Sequence, residues 1–308
     1  NHNLSVGDVD GDGKDEIIQG ACAINDNGTG MYVTGLGHGD AMHFGDLAPD
    51  RAGLEVWEVH ESTSAAYGYE MHDARTGTII WGTNTGTDNG RGLAADIDNR
   101  YRGYEMWSAS GTGVYSCTGT QISTAKPTIN FRIYWDGDLL DEILDGTLID
   151  KWNGNGTTRV LTGYNYESTT SNNGTKNTPC LSADILGDWR EELILRRSDN
   201  TALVIFTTTT ETSFRMYTLM HDPIYRLGIA WQNVAYNQPP HLGFYLYDGN
   251  PPTPDIILVG AGTATPVITS TRTRTPTWTG TQTRTLTRTV TPTMTRTATG
   301  TPTRTNTV

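Results

Sequence analysis

Apolar and polar positions alternate in short bursts along most of this chain. DEIIQGACAI, GLEVWEVHE, GYEMWSA, REELILRR, TALVIFTTTT and GFYLYDG are runs rich in β-branched and aromatic residues, set between clusters of Gly, Asn and Asp. Runs of this length with turn residues at their ends predict β-strands. Almost no stretch carries the period of an amphipathic helix. The strands also come in a repeat. GDVDGDGKDEI begins at Gly7, GDLAPDRAGLEVW at Gly45, ADIDNRYRGYEMW at Ala95, WDGDLLDEIL at Trp135 and ADILGDWREELIL at Ala183. Each copy sets an acidic loop just before an apolar strand that contains or follows a Glu. Two copies continue into a turn and a strand that reaches a Trp, DARTGTIIWG at 73–82 and DGTLIDKW at 145–152. Repeats of roughly 40–50 residues with several strands each mark a β-propeller. The expected fold class is therefore all-β, a propeller with five blades or part-blades in residues 1–262. The late strand DIILVG at 255–260 is placed to close a ring.

The pattern changes at Thr263. From there to Val308 the chain is a Thr/Pro/Arg repeat with almost no apolar residues, which cannot bury a core and is expected to be a disordered, extended linker. Threonines in that setting invite O-glycosylation or resist proteolysis. Six of the 22 basic residues are arginines of this segment, which leaves 16 bases against 34 acids, or −18, for residues 1–262. Such a balance argues against a nucleic-acid or anionic-membrane partner, and no apolar run is long enough to span a bilayer. Cys22, Cys117 and Cys180 cannot all pair, and their spacing fits no zinc pattern. The N-terminus carries neither an initiator Met nor a signal peptide and reads as lying inside a longer protein. The linker points to a further module beyond it, such as a carbohydrate-binding one. Together with the ion chemistry below, it suggests a secreted, extracellular protein, expected to act as a monomer.

Three constellations carry chemistry. In Asp8-Val9-Asp10-Gly11-Asp12-Gly13-Lys14-Asp15-Glu16, acids alternate around a sharp Gly turn and a further carboxylate follows. That arrangement suits a hard cation taking six to eight oxygens, so Asp8, Asp10, Asp12 and Glu16 are candidate calcium ligands. An acidic β-turn without an ion is the alternative. Asp46/Asp50/Glu55, Asp96/Asp98/Glu105 and Asp184/Asp188/Glu192 are weaker copies that either bind ions or cap turns. The second constellation is His2, His38-Gly39-Asp40 and His60-Glu61. His38 and Asp40, two apart, share a face if extended; imidazole is unusual for calcium and suits a transition metal. The third is Lys176 in SNNGTKNTP, Arg91 in TGTDNGRGL and Tyr236 in NVAYNQPPH, each in a Gly- or Asn-rich loop. Loops on rigid scaffolds carry function disproportionately, although each residue alone reads equally as a solvated loop position. NGT occurs at 27–29, 155–157 and 173–175, so it is a favoured turn here as much as a glycosylation sequon.

NHNLSVGDVDGDGKDEI, GLGHGDAMH, GLEVWEVHE, GRGLAADID, NFRIYWDGDLLDEILDGTLIDKW, SNNGTK, LGDWREELI, YTLMHDPIYRLGIAWQNVAYNQPPH and GFYL together, in order over essentially all of 1–260, resemble the rhamnogalacturonan lyases of polysaccharide lyase family 11. The resemblance implies an eight-bladed, calcium-loaded β-propeller, of which this chain covers the later blades. It also implies β-elimination at the rhamnosyl-α-1,4-galacturonosyl bond of rhamnogalacturonan I, a plant cell-wall pectin. Lys176, Arg91 and Tyr236 match residues of the family's active cleft. One of Lys176 and Arg91 would take the C5 proton while the other neutralises the uronate carboxylate, and Tyr236 would donate to the leaving oxygen or position a sugar. Asn173, Gly174, Thr175 and Asn237 would bind sugar. His2, His38, Asp40 and Glu61 match a family metal site, taken as calcium. The rivals are weaker. A glycosidase needs two carboxylates at a cleft, and the acids here sit in ion-loop patterns. A non-catalytic calcium propeller for carbohydrate binding or adhesion would not need the GRG, NNGTK and AYNQPPH loops.

Overall fold

Each acidic-loop repeat folds into a four-stranded antiparallel sheet. In this computed structural model residues 2–234, 236–249 and 251–254 are described, and they belong to one unit, Asn1–Pro254. The expected strand at 255–260 and the linker at 263–308 lie outside the described residues. The first sheet is a meander of β1 (Ser5–Gly7), β2 (Glu16–Gln19), β3 (Cys22–Ile24) and β4 (Gly30–Val33). The second runs through β5 (Gly39–Gly45), β6 (Glu55–His60), β7 (Tyr69–Asp73) and β8 (Ile79–Thr83). The third comprises β9 (Gly92–Ala95), β10 (Glu105–Ser108), β11 (Val114–Ser116) and β12 (Gln121–Ser123). The fourth has β13 (Phe131–Ile133), β14 (Glu142–Asp145), β15 (Leu148–Trp152) and β16 (Thr157–Thr162). In the fifth, β17 (Thr169–Thr170), β18 (Leu181–Ala183) and β20 (Leu203–Phe206) all pair with β19 (Glu192–Arg197).

The repeated Glu explains the repeat. It is the first residue of the second strand in the first four sheets, and of β19 in the fifth. Its side chain is buried and accepts backbone N–H groups from the acidic loop, including one exactly seven residues upstream in chain spacing. Glu16 accepts from Val9 N at 3.1 Å, Glu55 from Leu47 and Ala48 N at 3.1 and 3.0 Å, and Glu105 from Ile97 and Asp98 N at 2.9 and 3.0 Å. Glu142 accepts from Trp135 and Asp136 N at 2.9 and 3.1 Å, and Glu192 from Ile185 and Leu186 N, both at 2.9 Å. Loop N–H groups that face away from water need such partners.

Burial falls from strand to strand. β5, β6, β9, β10 and β13 are buried at every position, whereas β4, β8, β12 and β16 are half-buried or exposed. Apolar clusters lie between consecutive sheets: Ile18 with Met42 and Phe44, Trp57 with Ala94 and Met106, Trp107 with Ile143 and Trp152, and Phe131 with Leu193 and Leu195. The sheets thus pack face to face in chain order.

Three elements differ from the sequence pattern. DEIIQGACAI is two strands, since Gly20 turns the chain at φ +55°. GFYLYDG is no strand but a 3-10 turn, Leu246–Asp248, closed by Gly249 at φ +66°. A nine-residue helix, α1 (Pro223–Trp231), was not expected from the periodicity. Its cap was readable, because the Asp222 side chain accepts from Ile224 N at 3.2 Å and Pro223 occupies the first turn.

The segment from Leu219 to Leu246 contacts all five sheets. Gln238 Nε2 donates to Leu4 O and Ser5 Oγ at 2.9 and 3.0 Å. His241 Nε2 lies 2.7 Å from His43 Nδ1. Tyr245 Oη accepts from Gly103 N at 3.1 Å, beside the third sheet. Leu219, Tyr225, Leu242 and Leu246 pack with Tyr134, which follows β13. Gln232 exchanges two hydrogen bonds with the Ser182 backbone in β18, at 2.9 and 3.0 Å.

Candidate active site

Lys176 sits in the loop between β17 and β18, which is braced from within. Asn173 Oδ1 accepts from Lys176 N at 2.6 Å, and Asn173 O accepts from Asn177 N at 3.1 Å. Asn177 adopts φ +51°, a conformation Asn tolerates better than most residues. Asn173, Gly174 and Thr175 are exposed at the loop tip, and a Cβ on Gly174 would meet nothing within 4 Å. Asn237, expected to bind sugar, is buried, and its Nδ2 donates to Lys176 O. It holds the Lys176 loop in place.

The loop brings Lys176 Nζ to 3.5 Å from the centroid of the Tyr236 ring, a cation–π distance. Tyr236 stacks edge-on against His2 at 4.5 Å, and His2 against His38 at 4.7 Å. Lys176, Tyr236 and the His/Asp/Glu constellation therefore form one contiguous site. Partial burial, and then the charge of Arg91, lower the pKa of Lys176 from its ordinary value. Burial, and then Asp40, raise that of Tyr236.

Arg91 precedes β9 and donates to Asn130 Oδ1 at 2.6 Å. Asn130 Nδ2 donates to Asp145 Oδ1 at 2.8 Å, and Asn177 Nδ2 reaches the same oxygen at 2.8 Å. Asp145 therefore links the Arg91 side chain to the Lys176 loop through one acceptor atom. Sequence reasoning missed Asn130, Asp145 and Asn177. Asp145 opens the DGTLIDKW turn, and nothing in a turn dipeptide reveals a partner far along the chain.

His2, His38, Asp40 and Glu61 converge, with one ligand atom from each inside 4.8 Å of the others. Among the described residues Asp40 Oδ1, which is buried, has no hydrogen-bond partner; it lies 3.4 Å from His2 Nε2 and 3.6 Å from His38 Nε2. Burial and the neighbouring Glu61 push Asp40 up to about 6. An orphaned carboxylate oxygen between two imidazoles and a second acid fits a divalent cation.

The acidic loops fare differently. Asp8, Asp10 and Glu16 each bring a carboxylate oxygen within 4.8 Å of the others, while Asp12 turns to Lys14, 3.2 Å off. Among the described residues, Asp96 and Asp98 are not brought together with a third ligand. Asp98 is taken by Arg100 at 2.7 Å and by Trp152 Nε1 at 3.2 Å. Asp136, Asp138 and Glu142 do converge, but Lys151 Nζ lies 2.5, 2.7 and 2.8 Å from them, an ammonium standing where an ion would. Asp50 and Asp188 are likewise paired, with Arg102 and Arg190 at 2.9 and 2.8 Å.

Residues 1–255 match the pattern of the family described as rhamnogalacturonan lyase family 11, C-terminal domain. The chain belongs to rhamnogalacturonan lyase family 11. This family-11 chain is 59% identical over 251 residues to the rhamnogalacturonan endolyase YesW of Bacillus subtilis, covering 81% of the chain and 40% of the relative. It is 51% identical over 286 residues to the rhamnogalacturonan exolyase YesX of the same organism, covering 87% of the chain and 46% of the relative. The crystal structure of YesW superposes with a TM-score of 0.78 at 57% identity, over 82% of this chain and 43% of that one. The Bacillus licheniformis family-11 rhamnogalacturonan lyase gives 0.76 at 57% identity, over 79% and 41%. The chain thus spans less than half the length of the curated relatives it matches.

Proposed function

We propose that this chain carries the catalytic side of a rhamnogalacturonan lyase that cleaves rhamnogalacturonan I by β-elimination at a galacturonosyl residue. The observation that carries the reading is the contact of Lys176 with Tyr236 beside the His2–His38–Asp40–Glu61 group, with the charge of Arg91 felt at both Lys176 and Tyr236. The base must be a group that can lose its proton. Guanidinium does not do so in proteins, and Lys176 is already shifted towards the neutral amine. Lys176 Nζ takes the proton from C5, the C–H electron pair becomes the C4=C5 double bond, and the C4–O bond breaks. The departing oxygen receives the Tyr236 hydroxyl proton. Arg91, oriented by Asn130, binds the uronate carboxylate and stabilises the charge that develops on it. A divalent cation, which we take to be calcium, bound by His2, His38, Asp40 and Glu61 would polarise that carboxylate further as a Lewis acid. A second calcium fits Asp8, Asp10 and Glu16. Asn173, Gly174 and Thr175, exposed at the loop tip, contact the flanking sugar.

The five sheets are, in this reading, consecutive blades of a β-propeller. The gradient of burial across each sheet, the clusters between successive sheets and the contacts of residues 219–246 with all five sheets support it. A plant cell-wall polysaccharide substrate suits an exported enzyme; no described helix is long and apolar enough to cross a membrane. The test is to incubate rhamnogalacturonan I with the protein and calcium. An unsaturated uronate appears as new ultraviolet absorbance, and chelator suppresses it. Reducing ends released without that absorbance would mean hydrolysis and would overturn the reading.

A further inference from the structure

Behind the exposed His2–His38–Asp40–Glu61 group, strands β6 and β7 carry a second group that the proposed reaction does not use. Glu58 and His60, two apart on β6, turn to one face, and Glu70 on β7 is the direct register partner of Glu58. Like charges placed opposite each other on paired strands are destabilising. All three side chains are no more than 1% exposed. Among the described residues no Lys or Arg pairs with either carboxylate; their ion-pair partners are His60 and His72.

The two carboxylates are held unequally. Glu70 has His72 Nδ1 at 3.0 and 3.1 Å from its two oxygens, and the Tyr32 hydroxyl lies 3.3 Å from His72 Nε2. When the Tyr32 hydroxyl donates to Nε2, Nδ1 carries the hydrogen that His72 donates to Glu70. Among the described residues, by contrast, neither oxygen of the buried Glu58 has a hydrogen-bond partner. Gly39 makes room for them, since a Cβ there would stand 2.1 Å from Glu58 Oε1. His60 Nε2 lies 3.4 Å from Glu70 Oε1 and 4.0 Å from Glu58 Oε2.

We propose that Glu58, His60 and Glu70 form a buried binding site for a divalent cation of the zinc or manganese class. Donors with these separations can surround an ion at about 2.0–2.2 Å. Two carboxylates neutralise its charge, which removes the cost of burying them face to face. The His72–Tyr32 chain orients Glu70 from behind, as partners of metal ligands do. Calcium fits poorly, because it takes six to eight oxygens. Here the donors are the two Glu58 oxygens, one Glu70 oxygen and an imidazole nitrogen, the last of which suits zinc-class ions. The ion would pin the register of β6 against β7 directly behind the exposed site.

The test is metal analysis of the intact chain after exhaustive dialysis into metal-free buffer. One equivalent of a zinc-class ion should remain, and it should also remain in the His2→Ala/His38→Ala protein, which lacks the outer imidazoles. Glu58→Gln should lose it. Should Glu58→Gln not fold, anomalous scattering from wild-type crystals at the metal's absorption edge decides. A peak between Glu58 and His60 supports the site, and its absence overturns it. Absence of the ion from wild type, or equal content in wild type and Glu58→Gln, overturns it as well.

Discussion

At the scale of the residue, a lysine can take a proton from carbon only after losing its own. Partial burial of Lys176 and the charge of Arg91 both disfavour its ammonium form. Activity should therefore rise with pH as the amine forms. Arg91→Gln removes the repulsion, so the rising limb of the kcat profile should move to higher pH, and KM should rise because the carboxylate loses its partner. Lys176→Ala should lower kcat by about 10²–10⁴-fold with the fold intact, as loss of a general base does. Activity unchanged in that variant would remove Lys176 from the mechanism. Asp145 offers a subtler test. One of its oxygens accepts from both Asn130 and Asn177, so Asp145→Ala should release Arg91 and the Lys176 loop together and cost about 10–10²-fold in kcat, the scale of a misplaced catalytic group. Asp145→Asn keeps an acceptor oxygen and should restore most of the rate. If Ala and Asn behaved alike in steady-state kinetics, the linkage would be irrelevant to catalysis. The contrast also shows what a sequence can disclose about a site. Lys176, Arg91 and Tyr236 were singled out through a family resemblance in their loops, and folding brings Lys176 onto Tyr236, whereas Asp145 is linked to the Arg91 and Lys176 loops only through contacts that folding creates.

At the scale of the element, the acidic-loop repeat was legible as a spacing but ambiguous as chemistry. A Glu after an acidic turn suits an ion as well as it suits backbone N–H groups, and burial decides between them. Glu105 is wholly buried and accepts two loop N–H groups through one oxygen, while its other oxygen has no partner. Burial, with Asp96 nearby, raises its pKa well above the ordinary range. Glu105→Ala should thus cost about 2–6 kcal/mol, for two buried N–H groups left unpaired at about 1–3 kcal/mol each. Glu105→Gln, neutral and able to accept the same bonds, should cost far less. The pH dependence has a definite sign. An acid whose folded pKa is raised stabilises fully below its unfolded pKa and loses that contribution as pH climbs through the folded one. The stability gap between wild type and Glu105→Gln, followed by urea unfolding, should therefore shift in favour of Gln as pH rises. A gap independent of pH would mean that folding leaves the pKa of Glu105 unshifted.

At the scale of the whole molecule, the strands were readable because short β-branched and aromatic runs end at Gly, Asn and Asp turns, while α1 and residues 219–246 were not. That segment contacts several sheets in different directions, so its apolar residues follow neither the period of a strand nor that of a long helix. Its hold on the sheets runs through buried charge. Arg132, wholly buried in β13, lies 3.0 Å from Glu191 and 3.4 Å from Asp141. Asp141 reaches back to the third sheet, accepting from Asp96 N at 2.8 Å. Glu191 accepts from the Tyr225 hydroxyl of α1 at 2.8 Å, and that hydroxyl accepts from Asp184 N at 2.8 Å in the fifth-sheet loop. One guanidinium thus ties the third, fourth and fifth sheets to the helix. Removing it leaves two buried carboxylates without their cation, a loss of about 3–5 kcal/mol for a buried pair broken on one side. Arg132→Met should accordingly lower the unfolding midpoint steeply, and Tyr225→Phe by less, since it leaves only a backbone N–H and one carboxylate oxygen short of a partner. The two changes share Glu191, so the double variant should cost less than the sum of the single ones. Strict additivity in urea unfolding would show that the helix and the sheets are held independently.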